Sequence, residues 1–515
     1  MADKKIRVRF APSPTGGLHL GGVRTALFNY LFAKKHGGTF VLRIEDTDQG
    51  RYVKGAEEYI LNCLAWCGIS PDEGPHKQGE FGPYRQSERK ARYLSYAKQL
   101  VQMGYAYYAF DTPEELDLMR EKFKSSTNPS PQYNALTRAE MKNSLTLSED
   151  EVTKNIESGI PYVIRIKMPR AENIVLNDMI RGEVTFNSDE VDDKVLLKAD
   201  GMPTYHLAVV VDDYEMQISH AFRGEEWLPS APVHILLWEY LGWKNQMPQW
   251  AHFPLILKPD GKGKLSKRDG DRLGFPVYAM DWTDPKSGEI TKGFKEMGFL
   301  PEAFINLLAL LGWNDGSSQE IFDLIELAEK FTIDRIHKGG AKFDFEKAKW
   351  FNGEWIKKSS AVELLPLVKK VLDTNNINSS EEKIGALIPL VKDRCQLLND
   401  FYTQLAYFFQ DPQEIDMSAI KAKWDEPKTT FLKEWIGDLK NISEWTPLNV
   451  EDSFKQAIAS KQLKAGELQL PLRIMLVGGK FGPPVFEIAS LIGKESTVRR
   501  IEHSLMLLNS NPDHA

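Results

Sequence analysis

The stretch that most limits the folds open to this chain is RFAPSPTGGLHLGG, residues 9–22, with the apolar run behind it. Arg7, Val8, Arg9 and Phe10 alternate polar and apolar, the period of a short strand. Pro12, Ser13, Pro14, Thr15, Gly16 and Gly17 are turn formers. From Leu18 onward, Leu20, Val23, Leu27, Tyr30 and Leu31 recur at helical spacing. A strand, a turn of small residues and a helix start therefore follow one another directly. Such a helix start leaves N–H groups without intrahelical partners at the positive end of the dipole, a natural seat for phosphate. His19 and the Gly21-Gly22 pair fall in its first turns. A histidine there can donate a hydrogen bond to a phosphate oxygen, and glycine lets a nucleotide approach the backbone. A Pro/Gly turn before a helix more often only reverses the chain, so the second half of the argument must come from elsewhere.

TFVLRIED, residues 39–46, reads as a second strand, apolar on both faces as in a buried parallel sheet. Strand, helix and strand within about 40 residues make a βαβ unit. Glu45 then stands at the C-terminal end of a strand, the edge where ligands bind in open α/β sheets. Arg9, beside the turn, is a charge in a mostly apolar sheet and requires a partner, whereas Arg7 reads as an ordinary exposed strand residue. Asp46 and Asp48 read as a solvated turn. Helices near 54–67 and 88–103 follow, joined by GPYRQSER. Ser87 reads as an N-cap, and Arg85 and Arg89 as candidates for RNA phosphate.

Residues 111–155 are polar, with Ser-, Asn- and Pro-rich pieces, and PYVIRIKMP and RGEVTF read as strands of a small separate lobe inserted between the halves of a nucleotide fold. KVLLKADGMPTYHLAVVVDDYEM, residues 194–216, opens the second half as strand, turn and helix. ISHAFRGEEWLPS adds a strand that ends at Phe222-Arg223, so Arg223, Glu226 and Trp227 fall at a strand-to-helix junction. A guanidinium at such an edge matches a carboxylate in two places. LKPDGKGKLSKRDGDR, residues 257–272, is a loop rich in Lys and Gly, and Gly261, Gly263 and Gly270 suit hinge motion. The stretch GFPVYAMDWTDPKSGEITKG, residues 274–293, has no functional reading. From about residue 320 nearly every segment has helical period.

Composition narrows the classes. No apolar run approaches the roughly 18 residues of a membrane span, and MADKKIRVRF enters a strand with no apolar leader. A cytoplasmic protein that binds no membrane is expected. The three cysteines, Cys63, Cys67 and Cys395, fit a reducing compartment. They are too few and too scattered for a structural zinc. A net charge of −7 argues against non-specific coating of nucleic acid, so an RNA partner would need a local basic face.

His19-Leu20-Gly21-Gly22 and Lys264-Leu265-Ser266-Lys267-Arg268 together resemble the paired signature of class I aminoacyl-tRNA synthetases, usually written HIGH and KMSKS. With LRIEDTD, GPYRQSER, YHLAVVVDD and RGEEWLPS, the chain is similar to the bacterial glutamyl branch from about residue 6 to the C-terminus. Gly22, Leu265 and Arg268 depart from the written signature in the way that branch does. The resemblance implies an α/β Rossmann-like nucleotide-binding catalytic domain with an inserted acceptor-end lobe, plus an all-α C-terminal anticodon-binding region. The implied boundaries are 1–103 and 191–255 for the catalytic halves and 104–190 for the lobe. A KMSKS-like loop and stem-contact region covers 256–335, and the helical region 336–515.

The implied activity is activation of L-glutamate with ATP to glutamyl-adenylate, then transfer to the 3' end of tRNA(Glu). Mg²⁺ accompanies ATP, and the enzyme is a monomer. Some relatives carry a zinc-binding cysteine cluster where this chain has AYYAFDTPEEL, without Cys, so no zinc is expected. The resemblance assigns catalysis to His19, Lys264 and Lys267, and ATP binding to these with Gly21, Gly22 and Glu226. It assigns glutamate binding to Arg9, Ala11, Ser13, Glu45, Tyr205 and Arg223, with both arginines on carboxylates. Some relatives have Asn at the position aligned with Val209, and His206 would then supply the missing polar partner. The helical region is implied to read the anticodon, with Lys392 and Arg394 on one of its helices. Two other readings stay open. One is a nucleotidyl transferase of the same fold with no tRNA step, against which the long helical C-terminus argues. The other is a non-catalytic RNA-binding relative, against which intact His19, Lys264 and Lys267 argue.

Overall fold

The computed structural model of the chain describes residues 5–126, 128–421, 424–461 and 463–509. Contacts divide it into two compact units, Met1–Glu296 with Pro301–Ala348, and Met297–Leu300 with Lys349–Ala515.

The first unit begins as the periodicity requires. β1 (Arg7–Phe10) and β2 (Thr39–Leu42) pair in parallel, from Arg7 opposite Thr39 to Phe10 opposite Leu42. The crossover between them is α1 (Leu20–Lys35), which buries Leu20, Val23, Ala26, Leu27 and Leu31. α2 (Ala56–Trp66) and α3 (Lys90–Gln102) follow. The chain then builds β3 (Ala106–Ala109), α4 (Pro113–Phe123), α5 (Glu149–Glu157) and β4 (Val163–Ile166). Thr112 with Glu115 and Ser148 with Glu151 form reciprocal capping boxes, which start α4 and α5 where polar sequence alone would leave loop. β5 (Asn173–Asp178), β6 (Gly182–Asn187), β7 (Val195–Leu197), α6 (Tyr205–Glu215), β8 (His220–Gly224), α7 (Ala231–Tyr240) and β9 (Gln249–Phe253) complete this part.

Two sheets result. The main one has six strands in the order β2-β1-β8-β9-β5-β6, and the lobe sheet has three in the order β3-β4-β7. This corrects the reading of RGEVTF as part of the lobe. That strand is β6, and its hairpin with β5 joins the edge of the main sheet through a parallel pairing of β5 with β9. Along β5, Ile174 and Leu176 are buried in one cluster with Val233 and Leu237 of α7. Conversely KVLL, read as the first strand of the second half, pairs within the lobe as β7. The expected boundary after residue 335 also shifts: Ala341–Lys342 pairs with Ile256–Leu257, inside the first unit.

β1 lies between β2 and β8, so both of its arginines are buried. Arg7 is not an exposed strand residue. Its guanidinium pairs with Glu73 through Nη1 at 2.8 Å and Nη2 at 2.9 Å, and its Nε–H donates to the Met216 carbonyl. Arg89 is likewise buried, donating to Asp212 at 2.7 Å and Glu215 at 2.5 Å, and Arg85 is held by Glu57 and Glu88. Neither arginine stands free for RNA phosphate. Asp46 is buried rather than solvated, and it accepts both the N–H and the hydroxyl of Ser87. Ser87 therefore spends its hydroxyl on Asp46 and caps no helix.

Every element of the second unit is helical among its described residues. Lys392 and Arg394 stand in the 3-10 turn that ends the helix Glu381–Val391. Lys392 Nζ donates to the carbonyls of Lys357 and Ser359, and Arg394 Nη1 to that of Leu390. No helix among the described residues is long and apolar enough to cross a membrane.

Candidate active site

Where β1 and β8 end, a cavity of about 690 Å³ opens. It is lined by eleven of the expected residues: Arg9, Ala11, Ser13, His19, Gly21, Gly22, Glu45, Tyr205, Arg223, Glu226 and Lys264. Lys267 is not brought to it. That side chain stands at the start of α8 (Lys267–Leu273), 3.7 Å from Glu289.

His19 is the N-cap of α1, with extended backbone, and its Nδ1 accepts the Gly21 N–H at 3.2 Å. Nδ1 thus carries no proton, the ring proton sits on Nε2, and that buried nitrogen has no partner among the described residues. Burial, and next the nearby Lys264 charge, push His19 down to about 4, so the ring is neutral at physiological pH. It is a hydrogen-bond donor held ready at the cavity. The amides beside it are not. Leu20 N–H donates to the Val277 carbonyl, Gly21 N–H to His19 Nδ1, and Gly22 and Val23 N–H to the His19 carbonyl. The expected row of outward amides in that first turn is corrected to a single side-chain donor. A Cβ at Gly21 would meet only His19 Nδ1, at 3.6 Å, so the backbone there is open.

His19 itself takes three of these amides, and the fourth, that of Leu20, is taken by residues 274–293, the stretch without a reading. It runs over the turn, with Tyr278 edge-on to His19 and the Trp282 ring so close to Gly17 that a Cβ there would come within 2.9 Å. Tyr59 anchors it by donating to the Met280 carbonyl at 2.5 Å.

Arg9, also in the lining, is held within the chain. Its Nε and Nη2 donate to Asp213, each at 3.0 Å, and Nη1 donates to the Phe222 carbonyl at 3.2 Å. Arg43, fully buried, shares that acid at 2.7 Å and donates to Glu45 at 3.0 Å. Burial raises the Asp213 carboxyl, but Arg9 and Arg43 outweigh it and hold the group below its ordinary value. Burial pushes Glu45 up against the pull of Arg43. Arg9 lines the cavity already spoken for by an acid of the chain.

Arg223 differs. Nε donates to His252 Nε2 at 2.9 Å, and Nη1 faces Tyr205, Ser230 and His234 at 2.8, 3.2 and 3.3 Å. All four hydrogen-bond partners are uncharged groups, the Trp250 ring lies 4.8 Å from the guanidinium carbon, and Nη2 is buried with no partner among the described residues. Val209 lines the cavity, but His206 does not replace a polar group there: its Nδ1 turns to His234 Nε2 at 3.3 Å.

Lys264 Nζ pairs with Glu226 at 2.6 Å across the cavity. The KLSKR stretch is more ordered than a hinged loop. Leu265 N–H donates to the Ile256 carbonyl, Gly261 and Gly263 make the tight reversal with φ of +77° and +87°, and Ser266 is tied to Asp269 at the start of α8.

Sequence reasoning missed Arg24, which lines the cavity and donates to the carbonyls of Leu311 and Pro254, as well as Arg43 and Asp213. The available signal was a charge on an otherwise apolar face, Arg24 within α1 and Asp213 after VVVD in α6. Among the described residues no group of three or more His, Cys, Asp or Glu could hold a metal ion.

Burial lowers His19 and His206 to about 4 each and depresses His234 and His252 too. Between about pH 6.5 and 4 the unfolded chain takes up protons on these rings that the native state refuses, so stability falls as pH drops. The thermal midpoint is expected to decline from pH 7 to pH 5, and less steeply in His206→Asn. Parallel profiles for the two proteins would show that His206 is not buried neutral.

The family model described as tRNA synthetases class I (E and Q), catalytic domain, matches residues 5–350, and that described as Anticodon binding domain matches 361–505. The chain is 50% identical over 506 residues to the glutamate–tRNA ligase of Amoebophilus asiaticus, covering 98% of this chain and 99% of that one. It is 49% identical over 508 residues to that of Cytophaga hutchinsonii, covering 98% of each. The crystal structure of a glutamate tRNA ligase from Elizabethkingia meningosepticum in complex with its amino acid superposes with a TM-score of 0.93 at 48% identity, over 98% of this chain and all of that one.

Proposed function

The chain belongs to the glutamate–tRNA ligases, in the class I tRNA synthetases for glutamate and glutamine, and from that membership we propose how its residues divide the work. The enzyme joins glutamate to tRNA with ATP. In the first step a glutamate carboxylate oxygen attacks the α-phosphorus, and the bond to pyrophosphate breaks. In the second, a terminal ribose hydroxyl of tRNA attacks the acyl carbon and AMP leaves. No covalent nucleophile is needed. The protein supplies position and preorganised positive charge.

One observation carries the assignment: Arg223 and His19 both line the cavity, and each has a buried nitrogen, Nη2 and Nε2, without a partner among the described residues. Arg223 takes the side-chain carboxylate of glutamate. Glu45, held by Arg43, takes the ammonium group, with Ala11, Ser13 and Tyr205 around it. Arg9, fixed in place by Asp213, joins Arg223 on the glutamate carboxylates. His19 Nε2–H donates to a phosphate oxygen, beside Gly21 and Gly22. Lys264 exchanges Glu226 for the departing pyrophosphate, and Lys267 joins it when α8 moves toward the nucleotide. Mg²⁺ would enter as counterion of the ATP phosphates, and no step is routed through it. The lobe of β3, β4 and β7 holds the acceptor end of tRNA, in a monomeric, cytoplasmic enzyme.

ATP–pyrophosphate exchange with glutamate, with and without tRNA(Glu), tests the reading. Absence of exchange under both conditions refutes it. Lys264→Ala is expected to lower exchange turnover by about 10²-fold with glutamate KM nearly unchanged, since charge met only in the transition state contributes to kcat. Unchanged turnover would remove this lysine from the chemistry.

A further inference from the structure

Arg223 does not hold its own plane. On β8 it lies opposite His252 of β9, and Trp250 of β9 lies opposite Asp178 of β5. Arg223 is thus the direct neighbour of His252, and Asp178 stands diagonally from it, beside the residue two positions earlier on β9. His252 is fully buried and Asp178 is 5% exposed. Asp178 Oδ1 is occupied by the N–H groups of Ile180 and Arg181, both at 2.9 Å, so only Oδ2 remains for His252 Nδ1, at 2.6 Å. An ionised carboxylate only accepts, which puts the imidazole proton on Nδ1. Nε2 is left with a lone pair, and the Arg223 Nε–H donates to it at 2.9 Å. On the far side Tyr205, Ser230 and His234 engage Nη1. Nη2 is the nitrogen left over.

We infer that Asp178 is a positioning residue for glutamate recognition, acting on Arg223 through the tautomer of His252. This rests on the reading of Arg223 as the carboxylate-binding group. It also gives the β5–β6 hairpin a role: the strand that extends the main sheet delivers the acid that orients the specificity arginine.

The relay separates the variants sharply. In Asp178→Asn, the turn N–H groups still hold Oδ1, so the amide nitrogen faces His252 and donates to Nδ1. The ring proton moves to Nε2 and meets the Arg223 Nε–H, donor against donor. The guanidinium leaves its plane. Glutamate KM in pyrophosphate exchange is expected to rise by about 10- to 100-fold, as for other partners that orient a binding group, while ATP KM stays within about twofold. His252→Leu, which keeps bulk but offers no acceptor, is expected to show the same rise. His252→Gln can donate to Asp178 and accept from Arg223, and its glutamate KM is expected to lie much nearer wild type than that of His252→Leu.

Thermal melts of the full-length variants establish that each is folded. If Asp178→Asn does not fold, the His252→Gln and His252→Leu pair decides the matter. Wild-type glutamate KM in Asp178→Asn or in His252→Leu overturns the relay, and so does an equal rise in His252→Gln and His252→Leu. Loss of glutamate activation in Arg223→Gln alongside normal KM in Asp178→Asn removes the relay but leaves the arginine's role. Full activity in Arg223→Gln removes that role itself, and the relay with it.

Discussion

Arg223→Gln is expected to lower glutamate-dependent pyrophosphate exchange by about 10⁴-fold, the gap seen when a site built for one polar group loses its match. The protein should stay folded. Arg223 forms no ion pair with an acid among the described residues, and its partners are His252, Tyr205, Ser230 and His234. Removing the guanidinium therefore strands no buried charge in the chain. Burial depresses the Arg223 guanidinium below its ordinary value, the signature of a cation placed without its anion. The anion is the substrate. The same geometry rejects glutamine in the wild-type enzyme, because a neutral amide leaves Nη2 without a charged partner. Exchange measured with glutamate and with glutamine, on both proteins, decides this. Comparable wild-type rates with the two amino acids would sink the assignment, as would full glutamate activity in the variant.

The largest loss of stability is expected from Asp213→Asn, about 3–5 kcal/mol, the cost of breaking a buried pair from one side. The substitution keeps the volume, so no cavity contributes. It leaves Arg9 and Arg43, 4% and 0% exposed, facing a neutral amide at the centre of the sheet. Arg43 retains Glu45, but Arg9 retains only the Phe222 carbonyl. Denaturant unfolding of the full chain measures the loss. A change under roughly 1 kcal/mol would mean that these charges are solvated rather than buried. The contrast between the two arginines is the useful part. Both stand at strand ends and both line the cavity, but only Arg223 lacks an acid within the protein.

Local pattern made much of the molecule legible. The alternation in 7–10, the Pro/Gly turn and the helical spacing after Leu18 are properties of adjacent residues, and β1, the turn and α1 appear where these place them. The residues around His19 and Arg223 were identifiable because strand ends gather at one edge of a parallel sheet. The partners of charges were not. Arg7 with Glu73, Arg9 with Asp213 and Arg89 with Asp212 are separated by 66, 204 and 123 residues. Nothing periodic in the chain connects them.

What the sequence by itself determined is therefore the set of elements, their order and the short stretches that meet at the ligand edge, because dihedral preference and apolar spacing act over a few neighbours. The tertiary structure alone decided that β5 and β6 extend the main sheet, that residues 274–293 cover the turn and take the Leu20 amide, and that one of two similar arginines keeps a nitrogen without a partner among the described residues. Those outcomes turn on which buried donor or acceptor is still unsatisfied after every distant segment has packed, and that remainder exists only once the chain is folded.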